Sequence, residues 1–492
     1  MYYNDHMKHH VSQQRQPLRR TLIYSFMTLT VVAIVTIMVL LVQGYTYDSD
    51  EGTIEQGGLL QFASTPSGAA VTIDGERFGS RTNTKTTISA GEHSVQYNRN
   101  NYREWSKNVI VDPGQVVWLA YARLIPAELS PQTVRTLGDT VAATSVSPKR
   151  SYMLVQTKGS DAAFTILDLR SDTVEASTIQ LPAASYETPA SGQSQTFVVE
   201  SWSANERFVL LKHTTAGVVE WLLLDREQPT QSININDRIA AKPNRVEFAG
   251  GSDKRFFVQT DDMVQRVDIS KTEENTIPLA RNVDTFSVYN EETIIFTTRS
   301  NATGSRTVDY ASVGFDDNQQ IVRAYRGGDG PFFAAMGSFF NEQYIAIVRG
   351  EQLIVDAGRL STPSSSTSLR RVTLQTIPEG ALQLSFSRTG RFVVIEYADK
   401  FAVYDIELDE YHETKWEHSA TRKHALRWLD DYIVWSDRGG MLRIYDFDGA
   451  NQHDLMNVTP GFSATLSGNG KYLYGILQTD DGFKLRRVQL IL

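Results

Sequence analysis

Three histidines, His412, His418 and His424, recur every six residues late in the chain. On an extended strand six positions return a side chain to the same face, a spacing compatible with metal ligation. Turns must intervene over such a length, and no carboxylate–histidine pattern accompanies them, so they read as surface or strand histidines. The stretch "DFDGANQHD" (446–454) offers Asp446, Asp448 and Gly449. A calcium loop also needs a third early ligand and a glutamate at its twelfth position; both are missing, and a turn between strands is expected. Asp168, Asp225, Asp268, Asp405 and Asp446 could be imagined as a carboxylate ring. Each instead closes an apolar strand at an equivalent point, where aspartate accepts turn N–H groups.

Other chemistries lack their parts. No Gly-x-Ser-x-Gly elbow is present for a hydrolase nucleophile. "SGNGKYLYG" (467–475) has spaced glycines without the Lys-Ser/Thr and helix of a phosphate loop, and reads as a hairpin turn. His6, His9 and His10 lie in a tail too short to organise a metal shell. Trp202, Trp221, Trp428 and Trp435 sit inside apolar strands and are expected in a core rather than as sugar-stacking platforms. Asn301 and Asn457 match the glycosylation triplet, which in a bacterial protein is a chance match. The chain has no cysteine, which excludes disulfides, thiolate-ligated metals and a thiol nucleophile. No catalytic, cofactor-binding or metal-ligating residue is therefore assigned, and no cofactor is expected.

The elements that carry these residues begin with "TLIYSFMTLTVVAIVTIMVLLV" (21–42), which contains no charged residue. As a helix it is about 33 Å long, enough to cross a bilayer core. Lys8, Arg15, Arg19 and Arg20 precede it against Asp5, and Asp48, Asp50, Glu51 and Glu55 follow it. This asymmetry predicts a cytoplasmic basic tail (1–20), a transmembrane signal anchor (21–43) in contact with the lipid bilayer, and everything later outside. A cleaved signal peptide would have a shorter apolar run and a small-x-small site; "LVQGYTYD" is a poor one. Residues 44–58 are an acidic, glycine-containing linker.

The 492 residues exceed one ordinary domain. With 41% hydrophobic and 10% aromatic residues the chain can build real cores, and a net charge of −9 argues against a nucleic-acid partner. A large cysteine-free exported protein fits a bacterial envelope.

In "AAVTIDGERFG", Val71 and Ile73 alternate with Thr72 and Asp74 before Asp74-Gly75, a tight-turn signal. "ISAGEHSVQY", "WSKNVIV" stopped by Pro113-Gly114, and "QVVWLAYARL" continue an all-β pattern over 59–126. With Pro66-Ser67-Gly68-Ala69 ahead of "VTIDGERFG", and "NNYREW" before "VIVDPGQVVWL", this region resembles a PEGA domain, a small β-sandwich of bacterial and archaeal surface proteins. Asn83 stands where that family usually has proline, and Asn101 where glycine precedes the tyrosine. The resemblance implies an envelope-associated, non-catalytic module and supplies no site residues.

From about residue 130 one unit recurs: a strand ending in Ser or Gly, a polar turn, a strongly apolar strand, a strand ending in Asp, and a weaker fourth strand. Clear copies are "TSVSPKRSYMLVQT", "ESWSANERFVLLKH", "LSFSRTGRFVVIEY", "LRWLDDYIVWSD" and "ATLSGNGKYLYGIL". Weaker ones begin near Val246, Phe286 and Ala334. A four-stranded sheet cannot bury both faces alone, whereas sheets packed around an axis can. The pattern predicts a β-propeller over 130–492, of eight blades or alternatively seven. "PQTVRTL" (131–137) is expected as the fourth strand of the last unit. "SRTGRF" and "SGNGKY" resemble the Ser-Pro-Asp-Gly-Lys turn of WD40-like, TolB-type propellers. Ser147-Pro148-Lys149-Arg150 is a copy without the glycine. The resemblance concerns architecture alone.

Fold class is thus all-β beyond one N-terminal helix. The expected function is membrane-anchored, extracytoplasmic binding or scaffolding, the propeller face engaging an envelope protein or a wall or surface glycan. The alternative is a propeller enzyme of lyase or glycosidase type, marked by carboxylates, His or Arg gathered at the axial mouth.

Overall fold

The uncharged run folds as helix α1, Arg15–Val42, in a computed structural model that describes residues 15–42, 44–47, 54–239, 242–271, 278–314, 319–326, 330–360, 368–417 and 426–492. Its segment Arg19–Leu40 has a mean hydropathy of 2.3 and is long and apolar enough to cross a membrane. Three hydroxyls within it are satisfied internally: Thr28, Thr30 and Thr36 donate to the carbonyls of Tyr24, Phe26 and Val32 at 2.8–2.9 Å. Such back-bonding is what an apolar surrounding demands of a polar side chain.

The chain divides into two compact units, Met1–Leu124 and Ile125–Leu492. In the first, Tyr45–Tyr47 and Ile54–Gln56, within the expected linker, pair as a small antiparallel sheet, and the β part from Gly58 on is a two-sheet sandwich. One sheet orders Glu76–Arg81, Ala70–Ile73, Gly91–Asn98 and Trp105–Val111; the other orders Thr84–Ile88, Gly58–Thr65 and Val116–Arg123. Period-two alternation puts Leu60, Phe62, Val71, Val95, Tyr97, Trp105 and Leu119 into the space between them. Tyr97 stacks on Trp105 at 4.7 Å between ring centroids, and its hydroxyl donates to the Leu119 carbonyl at 2.8 Å. The hairpin expected at Asp74-Gly75 is present, with φ of 51° and 82°, and Asn101 takes a left-handed φ of 67°. Gly58–Thr65 pairs in parallel with Val116–Arg123.

In the second unit eight sheets follow one another among the described residues: 143–180, 195–234, 245–268, 283–326, 332–376, 383–415, 427–457, and 465–489 joined by 132–138. Seven have four strands and the third has three. All run as antiparallel meanders whose apolar faces pack against the neighbouring sheets, for example Leu210 and Trp221 of the second sheet with Phe256 and Val258 of the third. First strands of consecutive sheets lie side by side, as Ala143–Val146 with Gln195–Trp202 and Phe332–Phe339 with Gln383–Phe386, so these strands converge on an axis. Gln132–Gly138 pairs antiparallel with the last strand, Gly482–Gln489, and the two ends of the array close one sheet together. This is a β-propeller.

Within the sheets a recurrent pair ties the start of the second strand to the end of the third. Arg207–Asp225 and Arg391–Asp405 meet at 2.6 Å and Arg255–Asp268 at 3.4 Å. In the fourth sheet two hydroxyls, Thr293 and Ser312, replace the ions and hydrogen-bond at 2.8 Å.

Candidate functional site: the axial mouth

The site is built by the turns between first and second strands. Ser147, Ser203, Ser387 and Ser467 each end a first strand, and each Oγ accepts from the backbone N–H five residues on, that of Tyr152, Phe208, Phe392 or Tyr472, at 2.9–3.1 Å. The residue three beyond each serine donates its N–H to the serine carbonyl and has positive φ: Arg150 (64°), Glu206 (63°), Gly390 (76°) and Gly470 (69°). Glycine takes that conformation without strain, whereas a residue with a Cβ is held there at about 1 kcal/mol. At Gly390 it is also obligatory, because an added Cβ would stand 2.1 Å from the Ser338 carbonyl oxygen.

The two charged exceptions are the ones that bridge sheets. The buried Glu206 carboxylate accepts from Ser147 Oγ at 2.5 Å and from the N–H groups of Lys149 and Ser151 at 2.8 and 3.4 Å, locking the second sheet's turn to the first's. Burial alone would raise its pKa; the hydrogen bonds from Ser147, Ser151 and Lys149 outweigh that and hold it below the usual carboxylate range. Arg150 Nη1 reaches from the first sheet to the Leu429 carbonyl of the seventh at 3.2 Å. Ser463, just before the eighth sheet, joins Thr144 of the first through its N–H and Oγ at 2.7 and 2.9 Å.

These contacts frame a cavity of about 770 Å³ lined by Lys149, Arg150, Arg388, Arg427, Trp428, Asp430, Asp431 and Trp435, together with Ser145 to Pro148 and Ser463 to Thr465. The carboxylates are engaged. Asp431 pairs with Arg388 at 2.5 Å, and Asp430 accepts the N–H groups of Tyr432 and Ile433 at 3.0 and 2.9 Å. Arg427 lies over the Trp435 ring, 5.3 Å from its centroid. Trp428, half-buried, stacks on Phe392 at 5.8 Å.

Residues singled out in the sequence fall as follows. Asp168, Asp225, Asp268 and Asp405 accept turn N–H groups, from Arg170; Glu227 and Gln228; Ser270; and Glu407 and Leu408. For Asp225 burial pushes the carboxyl up, but Arg207 and those N–H groups outweigh it. Asp446 takes the Asn451 side-chain amide at 2.8 Å inside the turn that Gly449 completes. Residues 467–475 are the hairpin described above. His412 lies beside Glu410 at 3.3 Å, while His418, His424 and the N-terminal histidines lie outside the described residues. Among the described residues no group of three His, Asp or Glu is placed to hold a metal. Trp202, Trp221 and Trp435 are buried as expected; Trp428 departs from the core reading, because the cavity opens beside it. Lys149, Arg150, Arg427 and Glu206 escaped sequence reading. The available signal was the missing glycine in Ser147-Pro148-Lys149-Arg150 and in Ser203-Ala204-Asn205-Glu206.

Residues 58–124 match the family model "PEGA domain". No curated protein sequence matches the chain. Solved structures similar to it include the Dos1 propeller (13% identity, TM-score 0.45, 74% of this chain and 95% of that one). Others are oligogalacturonate lyase from Vibrio parahaemolyticus (10%, 0.39, 74% and 98%) and the Cps50 (Swd1) β-propeller domain of Myceliophteria thermophila (14%, 0.38, 67% and 99%). Residues 58–124 are thus a PEGA domain, followed by a β-propeller that rests on its own sheet geometry.

Proposed function

We propose that the chain is a membrane-anchored binding or scaffold protein of a bacterial envelope, whose propeller engages a protein or glycan at its axial mouth outside the cytoplasm. The observation that carries this reading is the mouth: a concavity framed by turns of separate sheets and locked by Glu206 and Arg150, which makes a preorganised receptor. The anchor is helix α1, with the basic residues before it and acidic ones after it favouring an outside propeller. The gathering of arginines and carboxylates at the mouth favours a second reading, an enzyme with an axial-pocket active site. Against it, Asp430 and Asp431 are already bound to backbone N–H groups and to Arg388, which weakens both as proton carriers.

The test is photo-crosslinking from a residue at the mouth, such as Arg388, in intact cells, with a residue far from the mouth, such as Thr260, as control. Capture of one envelope protein or glycan from the mouth alone supports the reading. Turnover of a small molecule by the purified chain, or protection of the propeller from protease added to spheroplasts, defeats it.

A further inference from the structure

Granting that reading, we propose that the ligand at the mouth is an anionic sugar chain, one carrying carboxylate or phosphate groups. Four cationic side chains line the cavity against two carboxylates. Asp431 neutralises Arg388 alone, and Asp430 is turned to backbone N–H groups. Lys149, Arg150 and Arg427 make no ion pair with a described residue. Arg150 spends one nitrogen on a neutral carbonyl, which leaves most of its planar donor fork available. With Asp430 and Asp431 both counted, the four cations leave the lining at +2 in a chain whose net charge is −9, so the mouth is locally positive in an acidic protein.

The second feature is aromatic. Trp428 offers a half-buried ring in the lining, and Trp435 lies under the Arg427 guanidinium. An indole face beside fixed cations matches a sugar ring that carries an acid group: the apolar face of the ring packs on the indole, and the acid meets Arg or Lys. The third feature is strain. Arg150 holds a left-handed backbone that Gly390 and Gly470 supply without penalty in equivalent turns. A strained residue kept where a glycine would fold more easily points to what its side chain does. A cavity of about 770 Å³ lies within the range of small-ligand sites, and suits a few sugar rings better than a folded domain.

The experiment uses the full chain in detergent. Its probes are a hexameric uronate oligosaccharide, a short glycerol-phosphate chain and, as the neutral control, maltohexaose; the readouts are calorimetry and tryptophan quenching. The expected result is binding of one or both charged chains, weakening steeply with salt, and none of maltohexaose. Preference between the two charged probes names the acid group. Lys149→Gln and Arg427→Gln should each weaken binding about tenfold with unchanged melting temperature, while Lys158→Gln, in the exposed turn between the second and third strands at the opposite end of the first sheet, leaves affinity intact. Equal binding of maltohexaose, insensitivity to both mouth substitutions, or no binding of either charged chain overturns the proposal. If the doubly substituted chain still crosslinks its cellular partner from the mouth, only the anionic class falls; if the native chain captures nothing there, the binding reading itself falls.

Discussion

The guanidinium of Arg150 donates to the carbonyl of Leu429 at 3.2 Å, so the first sheet of the propeller touches the seventh although the eighth lies between them in the ring. Only groups at the inner edge can meet across an intervening sheet. The contact marks the mouth.

Replacing Arg150 separates its backbone from its side chain. Arg150→Ala loses the bond to Leu429 yet keeps the left-handed strain, and should lower unfolding free energy by about 1–2 kcal/mol. Arg150→Gly loses the same bond but relieves the strain, and should be more stable than the alanine variant by about 1 kcal/mol. Denaturant titration followed by tryptophan fluorescence measures both. Equal stabilities would mean that φ at this position carries no penalty.

Two buried carboxylates should give opposite pH dependences. Glu206 has a lowered pKa, so its stabilising charge is present above the ordinary carboxylate range and is lost as pH falls through its folded value. Glu206→Gln should be less stable at neutral pH by about 1–2 kcal/mol and show a shallower acid limb.

Glu396, at the far end of a second strand from the mouth, is pushed up to about 7 by burial, although the Leu426 N–H at 2.8 Å favours its charge. Its folded value lies above the unfolded one, so the folded state holds the extra proton. Stability should therefore fall as pH rises from about 4.5 to 7. Glu396→Gln should flatten that decline and raise the midpoint of urea unfolding at pH 8; a variant with the parent's slope would contradict the assignment.

The repeated Arg–Asp pair should matter in proportion to its burial. Arg391 and Asp405 are buried, and Arg391→Ala strands a carboxylate in the core, with an expected loss of about 3 kcal/mol. Arg170 is an exposed partner of Asp168, and Arg170→Ala should unfold together with the parent. Thermal unfolding of the two variants side by side decides it.

Phe340 is 79% exposed at the tip of a two-residue hairpin, with Asn341 beside it and φ of 45° and 63°. A bulky ring in that conformation is strained. Phe340→Gly should therefore stabilise by about 1 kcal/mol, read as a higher denaturation midpoint. A loss of stability would show that packing on Phe339, 4.4 Å away between ring centroids, outweighs the strain.

What the sequence by itself determined was everything with a short period or a local stereochemical demand. A charge-free run sets helix α1, and alternation around Asp74-Gly75 sets the first hairpin. Serine followed by a left-handed position sets the turns at Ser387 and Ser467, and strand-end aspartates set their own N–H partners. The pairing of Gln132–Gly138 with Gly482–Gln489 was legible because a unit lacking its fourth strand must borrow one. The parallel partnership of Gly58–Thr65 with Val116–Arg123 leaves no local mark, and only the sandwich decided it. The mouth belongs to the tertiary structure in the same way. Lys149, Trp428 and Asp431 are ordinary turn and strand residues in their own repeats, and closing the ring alone brings residues some 280 positions apart, Arg150 and Leu429, into contact. Periodicity reports which face of a strand is buried, whereas a site assembled from separate repeats depends on ring geometry, which no single repeat encodes.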